Sequence, residues 1–287
     1  MNDGVIVVNK EKGISSQKVV SKIKKKLKIK AGHTGTLDLE ASGILPVVIG
    51  KATRISDYIM NQGKTYVAEI EFGKKTDTLD YSGKVISTSD KVIDQNDFLQ
   101  ALKNYIGEIY QVPPMYSALK RNGKKLYELA REGVEVNRNP RKVTIYDIKL
   151  LDFKFPFAKI EVSCSKGTYI RSLVDDLGEE LSTFAYLKNL VRTKVGKFKL
   201  ENSIDSSDIE TLTENYLLSK IISIDESLIG FKKINFSNIY LKKLINGVKI
   251  NIEYESGEYK IYCNNIFIGI GEICNNILSM KKVFYEQ

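Results

Sequence analysis

Apolar and polar residues alternate along this 287-residue chain with periods that predict a mixture of strands and helices. The apolar run from Val5 to Val8 predicts a buried strand, and the alternation from Thr65 to Phe72 predicts a half-buried one. Between them we predict a helix capped by Ser15 or Ser16, a loop over residues 30–43 and a helix over residues 52–60. The inward face of the first helix consists of Val19, Val20, Ile23 and Leu27.

The pattern beyond residue 90 predicts the second half of a core and then a smaller β-rich module. We expect a helix over residues 94–105, two strands over residues 142–165 and a helix over residues 168–181. The last part of the chain shows short strands over residues 249–254, 259–263 and 266–273. We therefore expect two domains, over residues 1–230 and 231–287.

Charge indicates a class of partner, because the chain carries a net charge of +9 and has a pI near 9.1. Residues 1–30 hold nine lysines against Asp3 and Glu11, whereas residues 200–230 hold seven acids against Lys220 alone. This segregation builds a basic face, which favours a polyanionic partner such as nucleic acid.

Cysteine, histidine and hydropathy exclude other classes of protein. Cys164, Cys263 and Cys274 are odd in number and have no CxxC spacing, so we expect reduced thiols and a cytoplasmic protein. No apolar run approaches the roughly 18 residues that a membrane helix requires. With His33 as the one histidine, a His-based metal site is excluded, and we expect no metal.

The segment GHTGTLD, residues 32–38, is the strongest candidate for chemistry. It places the carboxylate of Asp38 at the end of a short loop, just before the apolar run from Ile44 to Ile49. A single acid with no His or Cys cluster beside it suggests a carboxylate that acts directly as a nucleophile. For an isolated motif, an aspartate that caps the next turn is the alternative.

The order of motifs along the chain points to one family. The motifs are GHTGTLDLEASGILPVVIGKATR, KTYVAEIEFG, GKKTDTLD, PPMYSALKRNGKKLYELAREG, KGTYIRSLVDDLG and LVRTKVGKF. In these motifs the chain closely resembles the TruB family of bacterial tRNA pseudouridine synthases, essentially from end to end. The resemblance implies that uridine 55 in the tRNA T-loop is isomerised to pseudouridine without a cofactor. It also implies an α+β fold, with a mixed, largely antiparallel sheet in the catalytic domain and a small β-rich, PUA-like RNA-binding domain after it.

Three residues match the family's catalytic positions. The resemblance implies that Asp38 attacks, or takes a proton from, the ribose while uracil is detached. Arg171, in YIRSL, matches the catalytic-loop arginine, and a guanidinium can orient Asp38 through a bidentate pair. Tyr66, in KTY, matches the tyrosine that lies against the extruded base and is proposed to take the proton from C5. Taken singly, Arg171 would be a helix-surface residue and Tyr66 a core residue.

Further candidates for substrate binding are His33, Asp80, Tyr169, Tyr116, Lys120 and Lys10. The resemblance implies that His33 fills the space left by the flipped base and that Asp80 lies near the nucleotide, although Asp80 can equally close a turn with Ser82. Tyr116 and Lys120 lie in a predicted mobile basic flap, about residues 114–142. From Met115 to Lys142 this flap has eight Lys and Arg against three Glu, which suits phosphate neutralisation and base stacking. A solvated charged helix is the alternative.

The chain departs from the usual family pattern at Leu39, Glu40, Ser42 and Val191, none of which removes a proposed catalytic group. Three other functions stay open. They are a tRNA-binding protein without catalysis, a glycosidase that cleaves a nucleoside bond, and a pseudouridine synthase for another RNA. The expected partner is the T-arm stem-loop of tRNA, and we expect a monomer because no long exposed apolar stripe is evident.

Overall fold

The computed structural model describes residues 2–121 and 123–285. Met1, Asn122, Glu286 and Gln287 lie outside this described part, and with them the outer ends of the two predicted domains and one position of the predicted flap. The strands, in chain order, are β1 Gly4–Lys10, β2 Ala31–His33, β3 Ser42–Ile49, β4 Lys64–Phe72, β5 Lys74–Thr76, β6 Val85–Thr88, β7 Gly107–Gln111, β8 Lys120–Arg121, β9 Lys124–Lys125, β10 Arg141–Lys154, β11 Phe157–Cys164, β12 Ala185–Val195, β13 Phe198–Lys199, β14 Ile204–Asp205, β15 Ile222–Ser223, β16 Lys232–Phe236, β17 Ile250–Asn251, β18 Gly257–Cys263, β19 Ile266–Cys274 and β20 Ile277–Val283.

Helices lie between these strands throughout the chain. The α-helices are α1 Ser16–Leu27, α2 Ser56–Met60, α3 Gln95–Asn104, α4 Leu126–Arg131, α5 Ile170–Glu180, α6 Glu214–Ser219, α7 Ile224–Ser227 and α8 Leu241–Ile245. Short 3₁₀ turns occupy Gly50–Ile55, Leu200–Asn202, Asp208–Glu210 and Asn238–Tyr240. None of the helices in the described part of the chain has both the length and the apolar character needed to cross a membrane.

The main sheet is mixed and largely antiparallel, as predicted. Its order is β14-β1-β3-β12-β4-β11-β10-β7, with β2 beside β3, β13 beside β12 and β15 beside β1. Two pairs of strands in this sheet are parallel, namely β1 with β14 and β12 with β3. The other pairs of strands in the sheet are antiparallel. A separate sheet of order β16-β18-β19-β20-β17 forms the β-rich C-terminal module. The α+β fold is thereby confirmed.

Several predicted boundaries are corrected by the structure. The predicted loop over residues 30–43 contains the short strand β2, and the predicted helix over residues 52–60 is a 3₁₀ turn followed by α2. The largest omission from the prediction is β12, which lies between β3 and β4. Two irregularities in its pairing with β4, after Leu187 and after Arg192, shift the alternation of inward and outward side chains. Because bulges of this kind break the period of two, the pattern does not indicate a strand.

Two close backbone contacts, each at a glycine, hold α5 and β3 against β12. A Cβ at Gly178, in α5, would lie 2.4 Å from the backbone N of Ala185, so a larger residue would push α5 away from β12. Gly43, with φ of +106°, brings β3 against β12, and a Cβ there would lie 2.3 Å from the Arg192 carbonyl oxygen. α5 also buries Leu173 and Leu177 against the core of the sheet.

The C-terminal module packs against the catalytic part through both apolar and charged contacts. Ile270 and Phe284 belong to the same buried cluster as Val5. Lys260 Nζ donates to Asp225 Oδ1 at 2.9 Å, and Tyr262 Oη donates to the same oxygen at 2.6 Å. Because Lys260 is buried, this ion pair fixes the module more firmly than an exposed pair would.

Candidate active site

The backbone on both sides of Asp38 is held by hydrogen bonds from the N-terminal region. Ser16 Oγ accepts from the Leu37 N–H at 2.9 Å and donates to the Leu37 carbonyl at 3.2 Å. On the other side, the Leu39 carbonyl accepts from the Gly13 N–H at 2.9 Å and from Lys10 Nζ at 3.2 Å. The loop is thus fixed by its neighbours while the Asp38 side chain keeps 43% of its surface exposed.

Arg171 reaches Asp38 from the first turn of α5. Its Nη2 lies 3.0 Å from Asp38 Oδ2, and 96% of the Arg171 side chain is buried, since only 4% is exposed. The same Nη2 donates to the Tyr116 carbonyl at 2.7 Å, and Nη1 donates to the Thr78 carbonyl at 3.1 Å. The guanidinium is therefore shared among several acceptors, and its contact with Asp38 runs through Nη2.

Asp80 closes a turn with Ser82, which was the alternative to its expected role, and it also lies beside Arg171. Its Oδ1 accepts from Ser82 Oγ at 2.6 Å and from the Ser82 N–H at 3.1 Å, so it closes the turn. Its Oδ2 lies 3.6 Å from Arg171 Nη1. Leu79, directly before it, has a φ of +63°, which is unfavourable for a residue with a branched side chain. The turn holds one carboxylate beside the arginine at the cost of local backbone strain.

Tyr66 lies on β4 directly opposite Arg192 on β12. Burial raises the pKa of the Tyr66 hydroxyl, and the charge of Arg192, which hydrogen-bonds to it, opposes this shift. The charge of Asp38 also raises the pKa of Tyr66, so the two side chains lie within electrostatic reach. The phenol is therefore neutral before reaction, which favours stacking against a base over action as a preformed phenolate.

Arg192 is the site residue that sequence reasoning missed. Only 2% of it is exposed, and its Nε donates to the Ile44 carbonyl at 2.8 Å while Nη2 donates to the Gly35 carbonyl at 3.1 Å. It thus joins the Asp38 loop, β3 and Tyr66. Leu190 and Arg192 are both buried residues of β12, but this alternation is too short between the two pairing irregularities to predict the strand.

His33 and Tyr169 are both partly buried. Burial lowers the pKa of His33, and the nearby charge of Arg192 lowers it further, so the imidazole is neutral near pH 7. Its buried Nδ1 has no partner among the residues that the structure describes. Burial likewise raises the pKa of Tyr169, whose backbone N–H donates to Gln111 Oε1 at 2.7 Å. Tyr169 lies within electrostatic reach of Asp38, whereas His33 lies within electrostatic reach of Arg192.

The remaining three candidates for substrate binding lie in three different environments. Tyr116 contacts the site through its carbonyl on Arg171, whereas Lys120 is exposed on β8. Lys10 is fully buried, and its Nζ donates to the carbonyls of Glu11, Ile14 and Leu39. Because all three protons of its ammonium are engaged, we assign Lys10 to the support of the Asp38 loop, which corrects its expected contact with phosphate.

A small pocket opens beside Asp38. Its lining residues are Asp38, Glu40, Ala41, Asp80, Tyr81, Arg171, Leu187, Lys188, Asn189 and Leu190. Tyr81 Oη donates a hydrogen bond to Glu40 at its rim. The space amounts to about 10 Å³, which is enough for about one water molecule. In the described part of the chain, no three His, Cys, Asp or Glu side chains cluster as metal ligands would.

Comparisons with known proteins agree with this geometry. Residues 21–170 match the profile of the TruB family pseudouridylate synthase (N terminal domain), and residues 171–248 match the tRNA pseudouridylate synthase B C-terminal domain. The chain is 42% identical to tRNA pseudouridine synthase B of Clostridium kluyveri, over 98% of this chain and 99% of that protein. It is 44% identical to tRNA pseudouridine synthase B of Fusobacterium nucleatum, over 99% of this chain and all of that protein. A chain of a crystallised Cbf5-Nop10-Gar1 complex superposes with a TM-score of 0.76 at 26% identity, covering 98% of this chain and 85% of that one.

Proposed function

Because the chain belongs to the TruB family of pseudouridylate synthases, we propose that it isomerises uridine 55 in the T-loop of tRNA to pseudouridine. It is a tRNA pseudouridine synthase. The observation that best supports an active site at Asp38 is its contact of 3.0 Å with Arg171. Hydrogen bonds hold the backbone of the Asp38 loop on both sides of this residue. An oriented carboxylate on a fixed loop supports a role for Asp38 in the reaction.

The chemistry of the reaction fits these groups. The bond between N1 and C1′ breaks, the uracil turns, and a bond forms between C5 and C1′, while the proton of C5 is transferred and N1 gains one. No atom is added and no electron is exchanged with a cofactor, so enclosure, a carboxylate and proton transfer are sufficient. We assign to Asp38 the attack or proton abstraction at the ribose, and to Arg171 the orientation of Asp38.

Tyr66 receives the target base in this proposal. Its neutral phenol offers a flat face for stacking. To take the C5 proton, the hydroxyl first releases its own proton to solvent, and Arg192 stabilises the phenolate that accepts the proton from C5. His33 and Tyr169 border the extruded nucleotide, and His33 occupies the space that the base leaves in the loop.

The direct test incubates the full-length protein with an unmodified T-arm stem-loop RNA. Pseudouridine is scored at position 55 by base-specific chemical labelling, and free uracil is scored in the same reaction. Pseudouridine at that position alone supports the proposal. Free uracil would assign a nucleoside glycosidase, and binding without either product would assign an RNA-binding role.

We further propose that the partner is the T-arm, that the protein acts as a monomer in the cytoplasm, and that residues 1–230 and 231–287 form its two domains. The domain division is supported by the separate C-terminal sheet and by a second buried cluster that includes Ile234, Ile261 and Leu278. The PUA-like module, held by the Asp225 contacts, then presents a fixed surface to the RNA.

Replacing Arg192 with Lys should lower kcat about tenfold and change KM little. A lysine keeps the charge but cannot reach the carbonyls of Gly35 and Ile44 and the hydroxyl of Tyr66 together. Single-turnover rates over a pH range check this, because a displaced Tyr66 also alters the pH profile. Arg54→Lys, at the contact with the C-terminal module, is the matched control. A parent-like rate and pH profile in Arg192→Lys would remove Arg192 from the site.

The buried Lys64 should make stability rise with pH. Burial lowers the pKa of Lys64 from 10.5 to about 8, and its Nζ donates to the carbonyls of Met60 and Gln62. Between these values the unfolded chain holds the proton and the folded chain has released it, so raising the pH favours folding. From about pH 8 to pH 10, the parent should gain about 1 kcal/mol of unfolding free energy per pH unit relative to Lys64→Met.

Urea unfolding of both proteins at several pH values gives this difference directly. The charge of Lys10 is present in both proteins, so its contribution to the pH dependence cancels in the comparison. If the difference in unfolding free energy between the parent and Lys64→Met stays constant across this pH range, burial does not lower the pKa of Lys64.

A further inference from the structure

The outer face of α1 carries a group of exposed lysines that the isomerisation of a uridine does not use. With 3.6 residues per turn, their positions lie within about 120° of the helix circumference and extend over about 15 Å of its length. The other residues of this face, Gln17 and Ser21, are polar as well. We call the group the α1 stripe, and its members are Lys18, Lys24, Lys25 and Lys28.

The charge of the α1 stripe is not neutralised within the protein. In the part of the chain that the structure describes, no carboxylate forms an ion pair with any of its four lysines. Lysines on other surfaces are paired, as Lys159 is with Glu69 at 3.1 Å. Lys22 and Lys26, on the adjoining side of α1, donate to backbone carbonyls of the acidic segment at 3.1 Å and 2.9 Å. The acidic segment therefore packs beside α1 and leaves the stripe as free cations.

The position of Lys18 is unfavourable for the helix by itself. Ser15 caps α1 by accepting from the Lys18 N–H at 3.1 Å, so Lys18 is the third helical residue. A capping box places glutamate or glutamine there, and the positive end of the helix dipole repels a cation. The first turn contains no acid. The dipole favours Lys24 and Lys25 in the last turn, but it does not account for Lys18, which an anionic partner would stabilise.

The apolar face of α1 is fully used by the core. Val19 and Ile23 have no exposed surface, and Val20 is 1% exposed. A basic amphipathic helix binds a membrane by inserting its apolar face among the lipids, which this packing prevents. The stripe therefore fits a partner that is bound through charge, and the regularly spaced phosphates of a nucleic acid are such a partner.

α1 begins beside the Asp38 loop. Ser16, its first residue, exchanges two hydrogen bonds with the backbone of Leu37. Just before the helix, Lys12 Nζ lies 6.0 Å from the centre of the Tyr81 ring, which lines the pocket at Asp38. The stripe thus starts near the candidate active site and leads away from it along the helix. An RNA held at Asp38 has further backbone on both sides of the bound nucleotide.

We propose that the α1 stripe binds the phosphate backbone of the RNA substrate outside the loop that holds the target uridine. This inference rests on the proposed function. The contact is electrostatic and independent of base sequence, so it adds affinity and salt dependence and orients the body of the RNA. It selects no nucleotide, which leaves the choice of uridine to the site at Asp38.

The test compares two triple variants that lose the same charge. The stripe variant carries Lys18→Gln, Lys24→Gln and Lys25→Gln, since glutamine has a helix propensity close to that of lysine. The control variant removes three exposed lysines that form ion pairs, through Lys149→Gln, Lys159→Gln and Lys199→Gln. Fluorescence anisotropy gives the affinity at several salt concentrations for three RNAs: a full-length tRNA transcript, the T-arm stem-loop and a single-stranded oligonucleotide with the loop sequence.

The stripe variant should bind the full-length transcript about tenfold more weakly than the parent at low salt. The slope of log affinity against log salt should fall in magnitude by about two to three, because three lysines no longer release counterions. The control variant should stay near the parent in both measurements. The oligonucleotide should bind equally to the parent and the stripe variant. A loss on the stem-loop as well assigns the contact to the stem, and a loss confined to the transcript assigns it to the rest of the tRNA.

Parent-like affinity of the stripe variant for both structured RNAs would overturn the proposal. Equal losses in the two triple variants, or a loss that also appears with the oligonucleotide, would overturn it too. Urea unfolding checks that the stripe variant is folded, and its stability should not fall, because the repulsion at Lys18 is removed. Pseudouridine formation by the parent tests the proposed function separately, since the affinities are measured without reference to the product.

Discussion

Asp38→Asn should lower the isomerisation rate by on the order of a thousandfold or more while RNA binding stays near the parent level. The amide has the shape of the carboxylate but can neither attack the ribose nor take its proton. The loop should keep its position, because Ser16, Gly13 and Lys10 hold its backbone and not its side chain. The measurement is the release of tritium from T-arm RNA labelled at C5 of uridine, together with RNA affinity.

Glu40→Gln is the matched control for this prediction. Glu40 lines the same pocket two residues further on and accepts a hydrogen bond from Tyr81. Its neutralisation should slow the reaction far less than that of Asp38, because Arg171 does not orient it. If Glu40→Gln were the inactive protein and Asp38→Asn retained its rate, the nucleophile would be Glu40.

Arg171→Met should be the most damaging change in the chain, since it affects both rate and stability. It removes a buried cation from Asp38 and Asp80 and leaves the carbonyls of Thr78 and Tyr116 without their donor. We expect the unfolding free energy to fall by about 3 kcal/mol, because the variant removes a buried cation from two carboxylates and leaves two carbonyls without that donor. The rate should fall at least about a hundredfold, since Asp38 loses its orientation.

Urea unfolding and single-turnover kinetics measure the two effects separately. The double variant Asp38→Asn with Arg171→Met should be little slower than Asp38→Asn alone, because the arginine acts through the carboxylate. Arg131→Met, on α4 in the flap, is a control for the loss of an arginine outside this network. Full stability of Arg171→Met, or rate losses that multiply in the double variant, would contradict the shared role.

The catalytic loop was accessible from sequence because its features are local. GHTGTLD, the strand around Tyr66 and the helix that begins near Arg171 each appear as short segments with a clear pattern. Their meeting in space, however, depends on β12, whose alternation is interrupted by two irregularities in pairing. Without β12 in place, neither the pairing of Tyr66 with Arg192 nor the buried position of Arg192 can be derived.

Lys10 shows a second limit of sequence reasoning. A lysine near the N-terminus of a basic chain predicts a surface contact with phosphate, but burial decides its role. Its pKa is lowered to about 8 by burial, with the charges of Asp38 and Glu40 acting in the opposite direction. The turn between β1 and α1 decides which of the nine lysines in residues 1–30 points inward. No period in the sequence specifies that turn. A cleft in the flap, which is lined by residues between 113 and 141, is likewise formed by contacts across a loop.

The insertion of β12 between β3 and β4 also has consequences for synthesis on the ribosome. Residues 42–49 and 64–72 emerge early, yet both pair with a strand at residues 185–195. The centre of the sheet therefore cannot form until more than a hundred further residues have been synthesised. Such distant pairing makes folding slow and leaves β3 and β4 with open edges in the meantime. Chains that stop before residue 185 therefore have no catalytic centre and expose aggregation-prone strands, so premature termination yields insoluble fragments and no partially active enzyme.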